Sequence, residues 1–260
     1  MAFFKEKIWQ DKKKRKLFIT LVSVLLSLVI LFTACAIYLG SYYRADDKSI
    51  SACSFSTGYA FTERENEEGN LIFQPISDDT KTGLIFYPGG KVERDAYIPL
   101  MRALANQGML CVLIKMPFNL AVFDVNAADG ITEQFPEITS WYIGGHSLGG
   151  SMAASYVAKQ TATFQGLILL ASYSTANLQN SGLDVLSIYG DKDGVLNRDK
   201  YNENKSNLPQ NFVEYVIEGG NHAYFGMYGK QKGDGEATVN NIYQITITAY
   251  QICAFASLIA

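Results

Sequence analysis

SWYIGGHSLGGSMAASY, residues 140–156, changes character at its centre. Residues 140–146 are apolar and rich in strand formers, residues 148–156 are small-residue helix, and Ser147 stands between glycines where one becomes the other. Gly145-His146-Ser147-Leu148-Gly149 fits the pattern G-x-S-x-G. By chance alone that pattern arises in roughly one chain of this length in ten, so it carries little weight without its context. The context is a strand running in and a helix running out, which together make a nucleophile elbow that lifts a hydroxyl above the carboxyl edge of a sheet. The bland alternative is a glycine-rich turn whose serine only caps the helix.

Working outward, further strands are predicted at 53–61, 70–76, 82–88, 109–116, 164–172, 184–190 and 211–218. They alternate with helical patterns at 96–107, 120–131, 148–160 and 237–258. MLCVLIK and GLILLA are apolar without alternation, as expected of parallel strands covered on both faces. The pattern predicts an α/β fold with a doubly wound, mostly parallel sheet. The short connection at 173–183 leaves no room there for an inserted cap domain.

The chain has 260 residues, 48% hydrophobic and 18% charged, enough for one large core. Its net charge of −3 leaves no basic surplus outside the N-terminus, so nucleic acid is not expected as a partner. Residues 17–39 form an uncharged apolar run long enough to span a bilayer, for which about 20 residues suffice. Lys5, Lys7, Lys12, Lys13, Lys14, Arg15 and Lys16 precede it, whereas Arg44 and Lys48 behind it are offset by Asp46 and Asp47. The expected organisation is a basic cytoplasmic segment (1–16), a single transmembrane helix (17–39), a tether (40–52) and an extracytoplasmic domain (53–260). Two alternatives stay open: a signal peptide cleaved near Ala34-Cys35-Ala36, and a lipoprotein modified at Cys35. Of the cysteines, Cys53 and Cys253 remain either a pair or two free thiols. No CxxC or His/Cys cluster suggests a metal, and no cofactor is expected.

A serine needs a base, and the chain has two histidines. His146 adjoins Ser147, and in an elbow it points away as a packing or loop-bonding residue. His222, after the last strand, is the expected base. In YGDKDGVL the expected partner of His222 is Asp193, at the tip of the turn, with Asp191 closing the turn by an Asx bond. The oxyanion is expected to meet the N–H of Leu148 and a second donor from FYPGGK, either Gly90 or its neighbour Lys91. Phe118, Phe123, Tyr173, Tyr224 and Phe225 are candidates for an acyl-binding wall, with the loop 224–235 as cover.

LIFYPGG, IKMPFNLAVFD, WYIGGHSLGG, LSIYGDKDGVLN and GGNHAYFGMYG with QKGDG resemble a group of membrane-anchored bacterial α/β-hydrolases, distantly similar to dienelactone hydrolases, over nearly all of residues 55–260. The resemblance implies a triad of Ser147, Asp193 and His222 in that chain order, at the bacterial cell membrane. It implies no substrate. Dienelactone hydrolases use a cysteine where this chain has Ser147, so their substrate does not carry over. The expected function is hydrolysis of a small-molecule carboxylic ester or thioester through an acyl-enzyme. The rivals are an acyltransferase with the same triad, and a non-catalytic envelope binding protein on the same scaffold, against which the full set of three residues weighs.

Overall fold

The computed structural model describes residues 11–53 and 58–259; Lys5, Lys7 and residues 54–57 of the first expected strand lie outside them. The chain divides into two units, Met1–Ser41 and Tyr42–Ala260.

In the first unit, helix α1 (Lys12–Gly40) begins where the Asp11 carboxylate accepts the N–H groups of Lys13 and Lys14. None of its most apolar stretch, of mean hydropathy 2.7, is buried against protein, and the helix is long and apolar enough to cross a membrane. At 1.5 Å per residue its uncharged part is about 34 Å long, against a hydrocarbon layer of about 30 Å.

The second unit opens within the segment expected to be the tether, and from Tyr43 on that segment packs on the domain. Tyr43 bridges to Val92, and Ile50 of helix α2 (Asp47–Ala52) is buried with Cys53. A local reading misses this because its partners lie far along the chain. The first strand of the sheet, β1, is Phe61–Glu65, later than expected. Its charged residues suit an exposed edge strand, which has no apolar pattern to announce it. Next come β2 (Leu71–Pro75), β3 (Thr82–Tyr87), β4 (Leu110–Leu113), β5 (Ser140–His146), β6 (Gly166–Leu170), β7 (Asp184–Gly190) and β8 (Val213–Ile217). They form one sheet in the order β1-β2-β4-β3-β5-β6-β7-β8. β2 runs antiparallel to both its neighbours, β1 and β4, and the six strands from β3 to β8 pair in parallel.

Both faces of the sheet are covered. Along β3, Leu84 and Phe86 face a core shared with α3 (Ile98–Asn106) and the C-terminal helix α6 (Asn241–Ile259). Ile85 and Tyr87 face the opposite core, shared with α4 (Leu148–Val157). A short helix, α5 (Arg198–Asn204), was not expected: it is polar, has almost no apolar face, and starts where the Asn197 side chain caps Lys200 N–H. The helix expected at 120–131 is absent. Short 3-10 turns at Pro117–Asn119 and Ala121–Phe123 take its place, Leu120 is extended, and the buried Tyr87 hydroxyl donates to Val125 O and accepts from Ala128 N–H. Two bonds from one strand residue thus hold a segment whose Asp and Asn residues compete with helix formation.

Candidate active site

From β3 the chain steps outward to β4, then crosses back to β5 and proceeds the other way. That switch point lies between β3 and β5, and crevices at the carboxyl ends of such strands are where ligands bind. Pro88-Gly89-Gly90 follows β3 there, and Ser147 follows β5.

Ser147 has φ 53° and ψ −123°, a strained geometry that costs a non-glycine residue about 1–3 kcal/mol. Its neighbours hold it: Ser147 N–H donates to Leu170 O at 2.9 Å, and the Ser172 hydroxyl donates to Ser147 O at 2.7 Å. A methyl group on Gly149 would strike the carbonyl oxygens of Tyr87 and Pro88, and one on Gly145 would lie 2.5 Å from Tyr87 O. Only glycines let α4 lie this close to β3, which is what makes the turn sharp.

His222 follows β8 and is almost fully buried. Its Nδ1 lies 2.8 Å from Oδ2 of the fully buried Asp193. The other Asp193 oxygen accepts the N–H groups of Val195 and Leu196, both at 2.8 Å. With Asp193 as acceptor, the imidazole carries its proton on Nδ1 and presents the lone pair of Nε2. That Nε2 is buried and has no hydrogen-bond partner among the described residues. A Ser147–His222 hydrogen bond is therefore not formed, though both residues line one cavity of about 250 Å³ with Leu148, Tyr173, Leu196 and Asn197. Such bonds are often long before substrate binds. Asp191 accepts Gly219 N–H at 2.7 Å and pairs with Lys192, so it ties the turn to the histidine loop and does not touch the imidazole.

Around the expected second donor, Gly89 N–H donates to the Tyr97 hydroxyl at 3.0 Å and Lys91 N–H donates to Asn119 O at 2.7 Å. Both are occupied. Gly90 lies against Leu148, so close that an added methyl would sit 2.7 Å from Leu148 Cδ2. Leu148 is the first residue of α4, where an amide has no acceptor within the helix.

His146 packs beside His222, its ring 4.5 Å from that of His222 and 5.5 Å from that of Phe225. Burial, and after it the neighbouring His222, push its pKa well below 6.5, so it is neutral. Its Nδ1 lies 2.8 Å from the Tyr97 hydroxyl. Burial holds Tyr97 protonated, and since Gly89 N–H is a donor, the Tyr97 proton goes to His146 Nδ1.

Two contributors escaped the sequence reading. One is Tyr97, which fixes Gly89 and His146 together. The other is Asp234, which accepts His222 N–H (3.2 Å), Ala223 N–H (2.8 Å) and Gly194 N–H (3.1 Å). Its only sequence signal was the short QKGDG run. The expected wall needs correction. Tyr173 lines the Ser147 cavity, but Phe225 is fully buried in the core. Phe118 lines a separate cleft of about 460 Å³ beside Lys115 and Met116, and Tyr224 lines another with Asn221 and Asp234. Phe123 is exposed against Phe118. Of the expected cover, 224–235, the part from Phe225 to Tyr228 is buried, whereas most of 229–233 is exposed. All four cysteines are free thiols.

Comparison with curated proteins gives no match. Among solved structures, the chain is similar in fold to a predicted CIB-like hydrolase from Thermoplasma acidophilum, with a TM-score of 0.51 and 15% identity over 76% of this chain and all of that one. Residues 83–246, from β3 into α6, match the model of the alpha/beta hydrolase family. With most of the sheet, the serine turn and the Asp193–His222 pair inside that match, the chain belongs to the alpha/beta hydrolase family.

Proposed function

We propose that this protein is a serine hydrolase that cleaves a carboxylic ester or thioester, held in a bacterial membrane by α1 with residues 42–260 outside the cytoplasm. The observation that carries the reading is the Asp193–His222 bond, beside a His222 Nε2 that is buried and without a partner among the described residues, in a residue that lines one cavity with Ser147. The basic residues preceding the apolar run 17–39 support the orientation.

In this reading His222 Nε2 takes the Ser147 hydroxyl proton as Oγ attacks the substrate carbonyl. Asp193 steadies the imidazolium, and the Leu148 and Gly90 amides receive the oxyanion. Collapse expels the alcohol or thiol, which leaves with the proton from His222. Water, deprotonated by the same histidine, then attacks the acyl-enzyme and frees the acid and Ser147.

A fluorophosphonate probe tests this directly. Labelling is expected on the peptide carrying Ser147 and is expected to vanish in Ser147→Ala; equal labelling of the variant would overturn the reading. A panel of p-nitrophenyl esters and acyl thioesters then gives the leaving-group and acyl preference.

A further inference from the structure

The link between α1 and the hydrolase domain is very short. The helix ends at Gly40, and Tyr43 is already bonded into the domain: its N–H donates to Lys91 O at 2.8 Å and its carbonyl accepts Glu93 N–H at 2.9 Å. Its hydroxyl accepts Lys232 N–H at 3.1 Å, and its ring lies 5.7 Å from that of Tyr228. Three extended residues span about 10 Å, whatever the angle between helix and domain. The chain thus enters the domain between the loop carrying Gly90 and the loop that follows His222.

From that entry point a second connection runs on. Lys91 N–H donates to Asn119 O at 2.7 Å, and Lys91, Phe118 and Asn119 have φ of 60°, 54° and 55°. Non-glycine residues keep such angles only where their surroundings over-determine them, often at functional sites. Past this joint, residues 117–123 expose Phe118 (60%), Val122 (47%) and Phe123 (55%), the two rings packed edge-on at 5.7 Å. Exposed apolar side chains occur elsewhere in the domain. These three share one loop at the carboxyl edge of the sheet, flanked by exposed Lys115 and Asp124, and tied through Lys91 to Tyr43, three residues past α1. Aromatic residues beside charges suit the interface between headgroups and acyl chains.

We propose that the loop 117–123 enters the headgroup region of the bilayer that α1 spans, and that the site takes its substrate from that same leaflet, as an acyl ester carried by a lipid. The proposal rests on the hydrolase reading and on α1 remaining attached. Tyr43 lies three residues of chain from the end of α1 and the loop is joined to it through Lys91, so a bilayer is the occupant.

The test uses the full chain in lipid nanodiscs whose acyl chains are brominated near the headgroup. Phe123→Trp is compared with Ile76→Trp, since Ile76 is 65% exposed and follows β2 at the opposite edge of the sheet. Bromolipid is expected to quench the indole at 123 strongly and to leave the one at 76 nearly unchanged; equal quenching would overturn the bilayer contact. Val122→Glu is expected to lower turnover of a disc-embedded ester about tenfold while a soluble short-chain ester is turned over within about twofold of wild type. An equal effect on both substrates would overturn the lipid source. Fluorophosphonate labelling in the same discs separates the two readings. No label with selective quenching removes hydrolysis and the lipid substrate with it, whereas label without selective quenching removes the bilayer contact alone.

Discussion

Replacing Asp234 with alanine removes the carboxylate on which two functional loops converge. Its Oδ1 accepts from His222 N–H and Gly194 N–H, and its Oδ2 from Ala223 N–H. One side chain therefore ties the loop of His222 to the residue after Asp193. A hydrogen bond to a charged group contributes about 1.5–3 kcal/mol, but Asp234 is half-buried and its four backbone bonds, that from Gly235 N–H included, share one anion, so water recovers part of the loss. A net cost of about 2–3 kcal/mol follows, or about 5–10 °C of Tm for a domain of this size. The activity should fall further, because a misplacement of about 1 Å at a reacting group costs about a hundredfold. Asp234→Asn keeps one acceptor oxygen and should fall between alanine and wild type. Thermal unfolding of the full chain in detergent and the rate of fluorophosphonate labelling at Ser147 measure the two effects. An Asp234→Ala protein with wild-type Tm and labelling within about twofold of wild type would show that Asp234 does not hold the two loops in place.

Three further outcomes are expected. Gly90→Ala places a methyl 2.7 Å from Leu148 Cδ2, so the loop must shift; ester turnover should drop about a hundredfold, and unchanged turnover would remove Gly90 as an oxyanion donor. Tyr97→Phe strands Gly89 N–H and His146 Nδ1 in a fully buried place, and urea unfolding should show a loss of about 1–3 kcal/mol. His146 is held neutral when folded but takes up a proton near pH 6.5 when unfolded. Its contribution is therefore complete above that pH and lost below it, by up to about 1.4 kcal/mol per pH unit. Urea titrations between about pH 7.5 and 5 should show a shallower slope for His146→Gln than for wild type, and equal slopes would refute the assignment.

Several features were legible from local pattern alone. The strands at 140–146 and 184–190 emerge with the expected boundaries, because unbroken apolar runs between turn residues have few other solutions. The serine turn was legible because Gly145 and Gly149 are needed within two residues of Ser147. The apolar run at 17–39 announced α1 by length and composition. Asp193 was separable from Asp191 because the tip of a turn and its closing residue face different ways.

What remained hidden depends on pairings between distant parts of the chain. Tyr43 and Lys232 are 189 residues apart, and nothing in the polar segment 40–52 shows that it docks on the loops around the site. Tyr87 overrides the helical pattern at 120–131 from a strand more than thirty residues earlier. The wall residues were misplaced because an aromatic near a strand end reads the same whether it lines a cavity, as Tyr173 does, or fills the core, as Phe225 does. The layers, the elbow and the apolar helix follow from local pattern, since period, glycine and length act within a few residues. Which carboxylate joins the loops and where the chain after α1 enters the domain are settled by folding alone, since each is a contact that exists only once the sheet has brought distant segments together.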